Sequence, residues 1–157
     1  MRQSDDKGLE LEIIPWGSPA YEQALELRDR ILRKPLGMSI YKDDLKAEEE
    51  DLHILARQDS APAGVLLLRK VDEDTLQMKQ VAVDGSRQGQ GIGRQLVAFA
   101  ERTAILKEVR KIILHARLTA VPFYEKLGYV RYGEPYTEIG LPHWSMQKTL
   151  KKPEPRE

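Results

Sequence analysis

The sequence predicts an α+β domain whose mixed sheet is mostly antiparallel and flanked by helices. Three observations carry that prediction. Short apolar runs of strand length recur at Leu9 to Ile13, Leu52 to Arg57, Gly64 to Val71 and Thr75 to Val83. Two segments carry helical stripes instead: Tyr21, Ala24, Leu25, Arg28 and Leu32 in one, and Ile92, Leu96, Phe99, Thr103 and Leu106 in the other. The chain has 157 residues, enough for one hydrophobic core. The folded unit is expected over 9–150, between a flexible polar N-terminus at 1–8 and a flexible tail at 151–157 that holds two prolines.

Each element has its own warrant. Leu9-Glu10-Leu11-Glu12-Ile13 alternates apolar and acidic residues, the period of a strand with one wet face. Ser18-Pro19 supplies an N-cap and a proline at the first helical position, and the helix should stop before Pro35. Leu36-Gly37-Met38-Ser39 reads as a turn, and the charged stretch from Lys42 to Asp51 as a short surface helix or loop. The acidic run Glu48-Glu49-Glu50-Asp51, like Arg33 and Lys34 at the helix end, is expected to be solvated. The next three strands are separated by Asp59-Ser60-Ala61-Pro62 and Asp72-Glu73-Asp74, connections short enough for an antiparallel meander.

The third of these strands changes parity. Leu76 and Met78 point to one face, whereas Val81 and Val83 have the opposite parity. Either both faces are buried there or an extra residue near Lys79-Gln80 forms a bulge. A glycine-rich loop, Asp84 to Gly93, then feeds the second helix, and Lys111 to Ala116 reads as a buried strand. Strand, loop, helix and strand from Thr75 to Ala116 should form a right-handed crossover between parallel neighbours. A short helix from Pro122 to Leu127 is stopped by Gly128, and Tyr129 to Tyr132 and His143 to Leu150 are the last strands.

Composition excludes several classes of function. Lys plus Arg equals Asp plus Glu at 25 each, so no net charge draws the chain to nucleic acid or an anionic membrane, and neither is an expected partner. Cysteine is absent, which excludes disulfides, thiolate metal sites and a cysteine thioester. With three His in all, no metal is expected. The uncharged apolar run Ala61 to Leu68 is far too short to span a bilayer, and no basic-then-apolar leader opens the chain. A soluble, cytoplasmic protein is the expectation.

The most informative segment is Gln88-Gly89-Gln90-Gly91-Ile92-Gly93. Glycines between a strand and a long helix let the backbone turn tightly, and the free N–H groups and helix dipole can then hold phosphate oxygens. The alternative is a tight turn whose glycines serve sterics alone. A P-loop requires Gly-Lys-Ser/Thr, but Gly93-Arg94-Gln95 follows here and the metal-binding hydroxyl is missing. A dinucleotide site fits poorly as well, because the triplet is Gly-x-Gly-x-Gly and Ala116-Arg117 ends the next strand without an acidic residue.

Gln88-x-x-Gly-x-Gly, the preceding Val81-Ala82-Val83, and Phe123-Tyr124-Glu125-Lys126-Leu127-Gly128-Tyr129 together resemble the GNAT superfamily of N-acetyltransferases. The element order matches from Leu9 to Leu150. Leu32-Arg33-Lys34-Pro35-Leu36-Gly37 and Pro142-His143 are similar to a little-characterised bacterial branch. The resemblance implies acetyl-coenzyme A as co-substrate and a strand pair that splays to admit pantetheine beside Val81, Ala82 and Val83. It implies pyrophosphate on the backbone from Gln88 through Gly89, Gln90, Gly91, Ile92 and Gly93 to Arg94, with Arg87 or Arg94 adding charge. Arg117 stands where many members have an asparagine facing the cofactor, and Gly85 where proline is common.

The same resemblance places Tyr124 where a phenol donates to the departing sulfur. Many members carry a glutamate on the bulged strand as base, but Thr75 to Val83 contains no Asp or Glu. His143 and then His53 are the remaining bases that titrate near neutrality. His143 opens the last strand opposite in parity to Trp144 and Met146, while His115 shares the parity of Ile113 and reads as structural. The function expected is direct acetyl transfer from acetyl-CoA to an amine acceptor, a small molecule or a protein amine. The alternative is an acyl-CoA-binding sensor that regulates a protein partner. A homodimer is left open.

Overall fold

The computed structural model describes residues 2–5 and 8–151, so all but the first residue of the tail expected at 151–157 lies outside the described residues. β1 (Arg2–Ser4) pairs antiparallel with β2 (Leu9–Ile14), where the sequence reading expects a frayed end. In β2, Leu9 and Leu11 are buried and Glu10 faces solvent, as the alternation requires. β3 (Leu52–Gln58), β4 (Ala61–Asp72) and β5 (Thr75–Val83) continue the sheet as the expected meander. Asp59 and Ser60 both have positive φ, 50° and 71°, so a two-residue turn closes the β3–β4 hairpin and Pro62 belongs to the strand.

After β5, α2 (Ile92–Leu106) crosses over to β6 (Lys111–Arg117), which is parallel to β5. α3 (Val121–Lys126) leads into β7 (Val130–Glu138) and β8 (Leu141–Thr149). The eight strands lie in the order β1-β2-β3-β4-β5-β6-β8-β7, so β8 inserts between β6 and β7. Both last strands are longer than expected, because Ile139 and Gly140 form a tight turn with φ of 52° and 71°. Among the described residues no helix is long and apolar enough to cross a membrane.

One face of the sheet packs on α2, with Leu66, Leu68, Met78, Leu96, Phe99, Ile112 and Leu114 in the larger core. Gly64 makes the close approach feasible, since a Cβ there would lie 2.7 Å from Leu96 Cδ1. Leu106, at the last turn of α2, leaves the stripe and is 71% exposed. The other face packs on α1 (Pro19–Arg28), capped by Ser18, whose Oγ accepts from the Tyr21 amide at 3.2 Å.

α1 runs on through a π-helical turn, Asp29–Arg33, and a 3₁₀ turn, Lys34–Leu36, that holds Pro35. The wider turn shifts the inward face by one residue. Arg33, expected in solvent, is therefore buried, with Nη2 2.8 Å from Asp43 Oδ2. The acidic run is also not a solvated face. Glu48 is buried and accepts two hydrogen bonds from Arg28, at 2.8 and 2.6 Å, and a third from the Tyr21 hydroxyl at 2.8 Å. Asp51 pairs with Arg69 at 2.8 Å. A buried guanidinium cannot lie unpaired, and Glu48 is what the fold brings to it.

His53 Nε2 lies 2.9 Å from the Glu48 carbonyl oxygen, which can only accept, so the proton sits on Nε2. Burial holds the His53 ring below its ordinary pKa. Burial pushes the Glu48 carboxyl up, but hydrogen bonds and charge from Arg28 outweigh it and hold it below its ordinary value. For both groups the unfolded chain binds the proton more readily than the folded one, so acid removes stability. The thermal midpoint is expected to fall as pH drops through the ordinary histidine range, and further as the pH reaches carboxylate values. In His53→Gln the first of these declines should disappear. Calorimetry across pH checks this, and an unaltered slope in the variant would refute it.

Candidate active site

β5 is bulged where its parity changes. Leu67 pairs with Lys79 and Val65 with Ala82, so β5 holds an extra residue, and Gln80 takes φ of 58°. The bulge returns Val81 and Val83 to the face of Leu76 and Met78, while Ala82 turns to the α1 side. Pairing of β5 with β6 runs only from Thr75–Lys111 to Met78–Leu114. Beyond it the backbone of Val81 to Val83 has no strand partner on that side; the Val83 carbonyl accepts from Gln88 Nε2 at 3.3 Å, and the remaining groups still require acceptors and donors.

The loop after β5 opens α2. Gly89 and Gly91 have φ of 84° and 79°, the left-handed region, and Gly91 caps the helix without a side-chain hydrogen bond. The first intrahelical donor to Gly91 is the Gln95 amide at 3.0 Å, which leaves the amides of Ile92, Gly93 and Arg94 facing outward. Phe123 closes over the helix start, its Cζ 3.2 Å from where a Cβ of Gly93 would lie.

These residues line a groove of about 700 Å³. It includes Val81, Ala82, Val83, Arg87, Gln88, Gly89, Gly91, Ile92, Gly93, Arg94 and Tyr124. Gln90 lines an adjoining cleft with Gln58, to which it is hydrogen-bonded at 3.1 Å. Arg87 is held by Gln58 at 2.7 Å and lies 3.3 Å from Asp84, whereas Arg94 has no ion-pair partner among the described residues. Arg94 is thus the cation available to an anion in the groove.

A second cavity of about 270 Å³ opens where β5 and β6 diverge. Val81 and Tyr124 line both spaces, and Ile31, from the π-turn, lies against both as well. Tyr124 is packed edge-on against Phe123 and Tyr129, with ring centroids 5.0 and 5.8 Å apart. Tyr129 is itself fixed by a 2.9 Å hydrogen bond to Glu101. Burial holds the Tyr124 hydroxyl well above its ordinary pKa, so it stays a donor, and it has no partner among the described residues.

Arg117, expected against the cofactor, lies in this second cavity rather than in the larger groove. His143 lines it too, buried, with Nδ1 2.9 Å from the Leu141 carbonyl oxygen. That carbonyl fixes the ring proton on Nδ1 and leaves the Nε2 lone pair 3.5 Å from Glu138 Oε2. His115 is not the buried structural residue expected. It is 38% exposed at its side chain, lies 3.3 Å from Glu138 Oε1, and lines the same cavity. The reason is that Ile112, Leu114 and Ala116 take the core face of β6, which leaves its alternate residues on the open side. His53, the other candidate base, lies in the Arg28–Glu48 cluster away from both spaces.

Over residues 21–150 the chain matches the acetyltransferase (GNAT) domain family. It belongs to that family. A Lactobacillus plantarum protein whose crystal structure carries the name N-acetyltransferase is 30% identical, with a TM-score of 0.79 over 90% of this chain and 99% of that one. A Bacillus subtilis protein named as an acetyltransferase is 32% identical over 96 residues, which span 61% of this chain and 65% of the relative. A GNAT acetyltransferase structure from Elizabethkingia anophelis with acetyl-CoA bound has a TM-score of 0.69 at 22% identity, covering 93% of this chain and 100% of that one. This GNAT domain is therefore an acyltransferase by family.

Sequence reasoning about the GNAT site missed Glu138. The one signal available was its place before the Ile139-Gly140 turn, two residues after Tyr136, the register partner of His143. With β7 expected to end at Tyr132, that turn was invisible. The bulged strand carries no carboxylate, and a hairpin on the far side of β6 supplies one instead.

Proposed function

We propose that this GNAT domain transfers acetyl from acetyl-CoA directly to an amine acceptor. The observation that carries the reading is Tyr124, a protonated donor at the junction of the two spaces. The residues present fit the carrier: outward amides at the start of α2 and Arg94 suit a diphosphate, and the backbone of Val81 to Val83, beyond the end of the β5–β6 ladder, suits amides of its arm. When bound, acetyl-CoA supplies an acetyl thioester whose sulfur must leave with a proton.

The chain's own groups divide the proton traffic. An amine in the second cavity reacts only when neutral, and the Nε2 lone pair of His143, backed by Glu138, takes its proton. The new carbon–nitrogen bond replaces the carbon–sulfur bond, and the Tyr124 hydroxyl donates to the sulfur. With Glu138 in this place the chain has a carboxylate near the acceptor, which supports turnover over a purely sensing role.

Release of free thiol with a panel of amines tests the proposal. Saturable turnover is expected, with a product about 42 daltons heavier than the amine for one acetyl group, and His143→Gln should lower kcat by about 10²-fold. Tight acetyl-CoA binding with no turnover on any amine would overturn it in favour of a sensor.

A further inference from the structure

We infer that the acceptor carries an anionic group, of the carboxylate class, beside its reacting amine, and that Lys79 and Arg117 receive it. The inference rests on the acetyl-transfer reading above and names the substrate class for that site. Both residues line the second cavity with His143 and Tyr124. Arg117 lies directly opposite His143 in the register of β6 with β8.

Neither cation has an ion-pair or hydrogen-bond partner among the described residues. Of the other charges around them, Arg33 and Asp51 are engaged in ion pairs, whereas Glu138 faces no lysine or arginine within ion-pair distance among the described residues. Arg33 is paired with Asp43 at 2.8 Å, Asp51 with Arg69 at 2.8 Å, and Glu138 sits between His115 and His143 at 3.3 and 3.5 Å. The cavity thus keeps Lys79 and Arg117 against the single Glu138 carboxylate, a net positive charge next to the proposed proton acceptor. A polycationic amine would meet repulsion there, whereas an amine with a carboxylate supplies the counter-charge.

Lys79 adds a second argument. Its side chain is half-buried at the bulge, and burial and the Arg69 charge together outweigh the pull of Asp51, Glu138 and Glu48 and hold the ammonium below its ordinary pKa. A half-buried cation in no direct ion pair is only partly compensated, and a bound carboxylate completes it. Gln80 contributes a buried Oε1 with no hydrogen-bond partner, an acceptor for the remaining N–H of such a substrate.

The test compares matched amines at saturating acetyl-CoA: 4-aminobutyrate, its carboxamide and 1,4-diaminobutane, together with amino acids and their amides. The acids are expected to have kcat/KM about tenfold or more above their amides. Lys79→Met and Arg117→Met should each bring that ratio towards one, acting through KM, and Lys79→Glu should favour the diamine. Turnover of amides or diamines as fast as acids by the native protein would overturn this inference and leave acetyl transfer standing. Absence of turnover on every amine would overturn acetyl transfer itself. The binding of N-acetylated acid against N-acetylated amide, measured by calorimetry, gives a readout independent of turnover. Equal affinities would count against the inference.

Discussion

Tyr124→Phe is expected to lower kcat by about 10²- to 10³-fold while the KM for acetyl-CoA changes little. The substitution removes one oxygen and keeps the ring, so the edge contacts with Phe123 and Tyr129 that hold α3 in place persist. What is lost is a donor at the junction of groove and cavity, where the departing sulfur would otherwise leave as an unprotonated thiolate. Because burial holds the hydroxyl well above its ordinary value, its deprotonation should not shape the rate profile in the neutral range. Steady-state thiol release measures the effect. A variant with native kcat would show the hydroxyl to be idle and move proton donation to water.

The second large effect is on stability. Glu48→Ala leaves Arg28, 1% exposed, as a buried guanidinium without its carboxylate, and leaves the Tyr21 hydroxyl without its acceptor. Breaking one side of a buried pair costs about 3–5 kcal/mol. For a chain of this length that lowers the thermal midpoint by on the order of 10 °C. Arg28→Met combined with Glu48→Leu should recover much of the loss, because neither charge is then stranded. The same tether fixes the end of α1, whose π-turn puts Ile31, Leu32 and Arg33 on the second cavity. Glu48→Ala should therefore also raise the KM of the acceptor. A shift of only a degree or two would show the pair to be dispensable.

Much of the site was legible because its signals are local. Glycines at 89, 91 and 93 announce backbone geometry that a side chain would obstruct, and they stand between a strand and an amphipathic helix. The parity change between Met78 and Val81 left two explanations open, and the positive φ of Gln80 decides for the bulge. His115 was misread from its parity on a buried strand, whereas the misreadings at Arg33 and Glu48 share one cause. Charge in a sequence window says that a residue prefers water, and it does not say whether the fold will bring a counter-charge to it.

The sequence by itself determined the element order, the meander, the anion-ready start of α2 and the place of Tyr124 in its motif, because each depends on neighbours a few residues apart. Only the tertiary structure decided that β8 enters between β6 and β7, which sets Glu138 and His143 beside Arg117 and opposite the bulge with Lys79. Those groups come from β5, from β6 and from the β7–β8 hairpin, three parts of the chain well separated in sequence, and no local pattern encodes their meeting. It follows from the register of the pairings and from the short reach of the parallel ladder between β5 and β6.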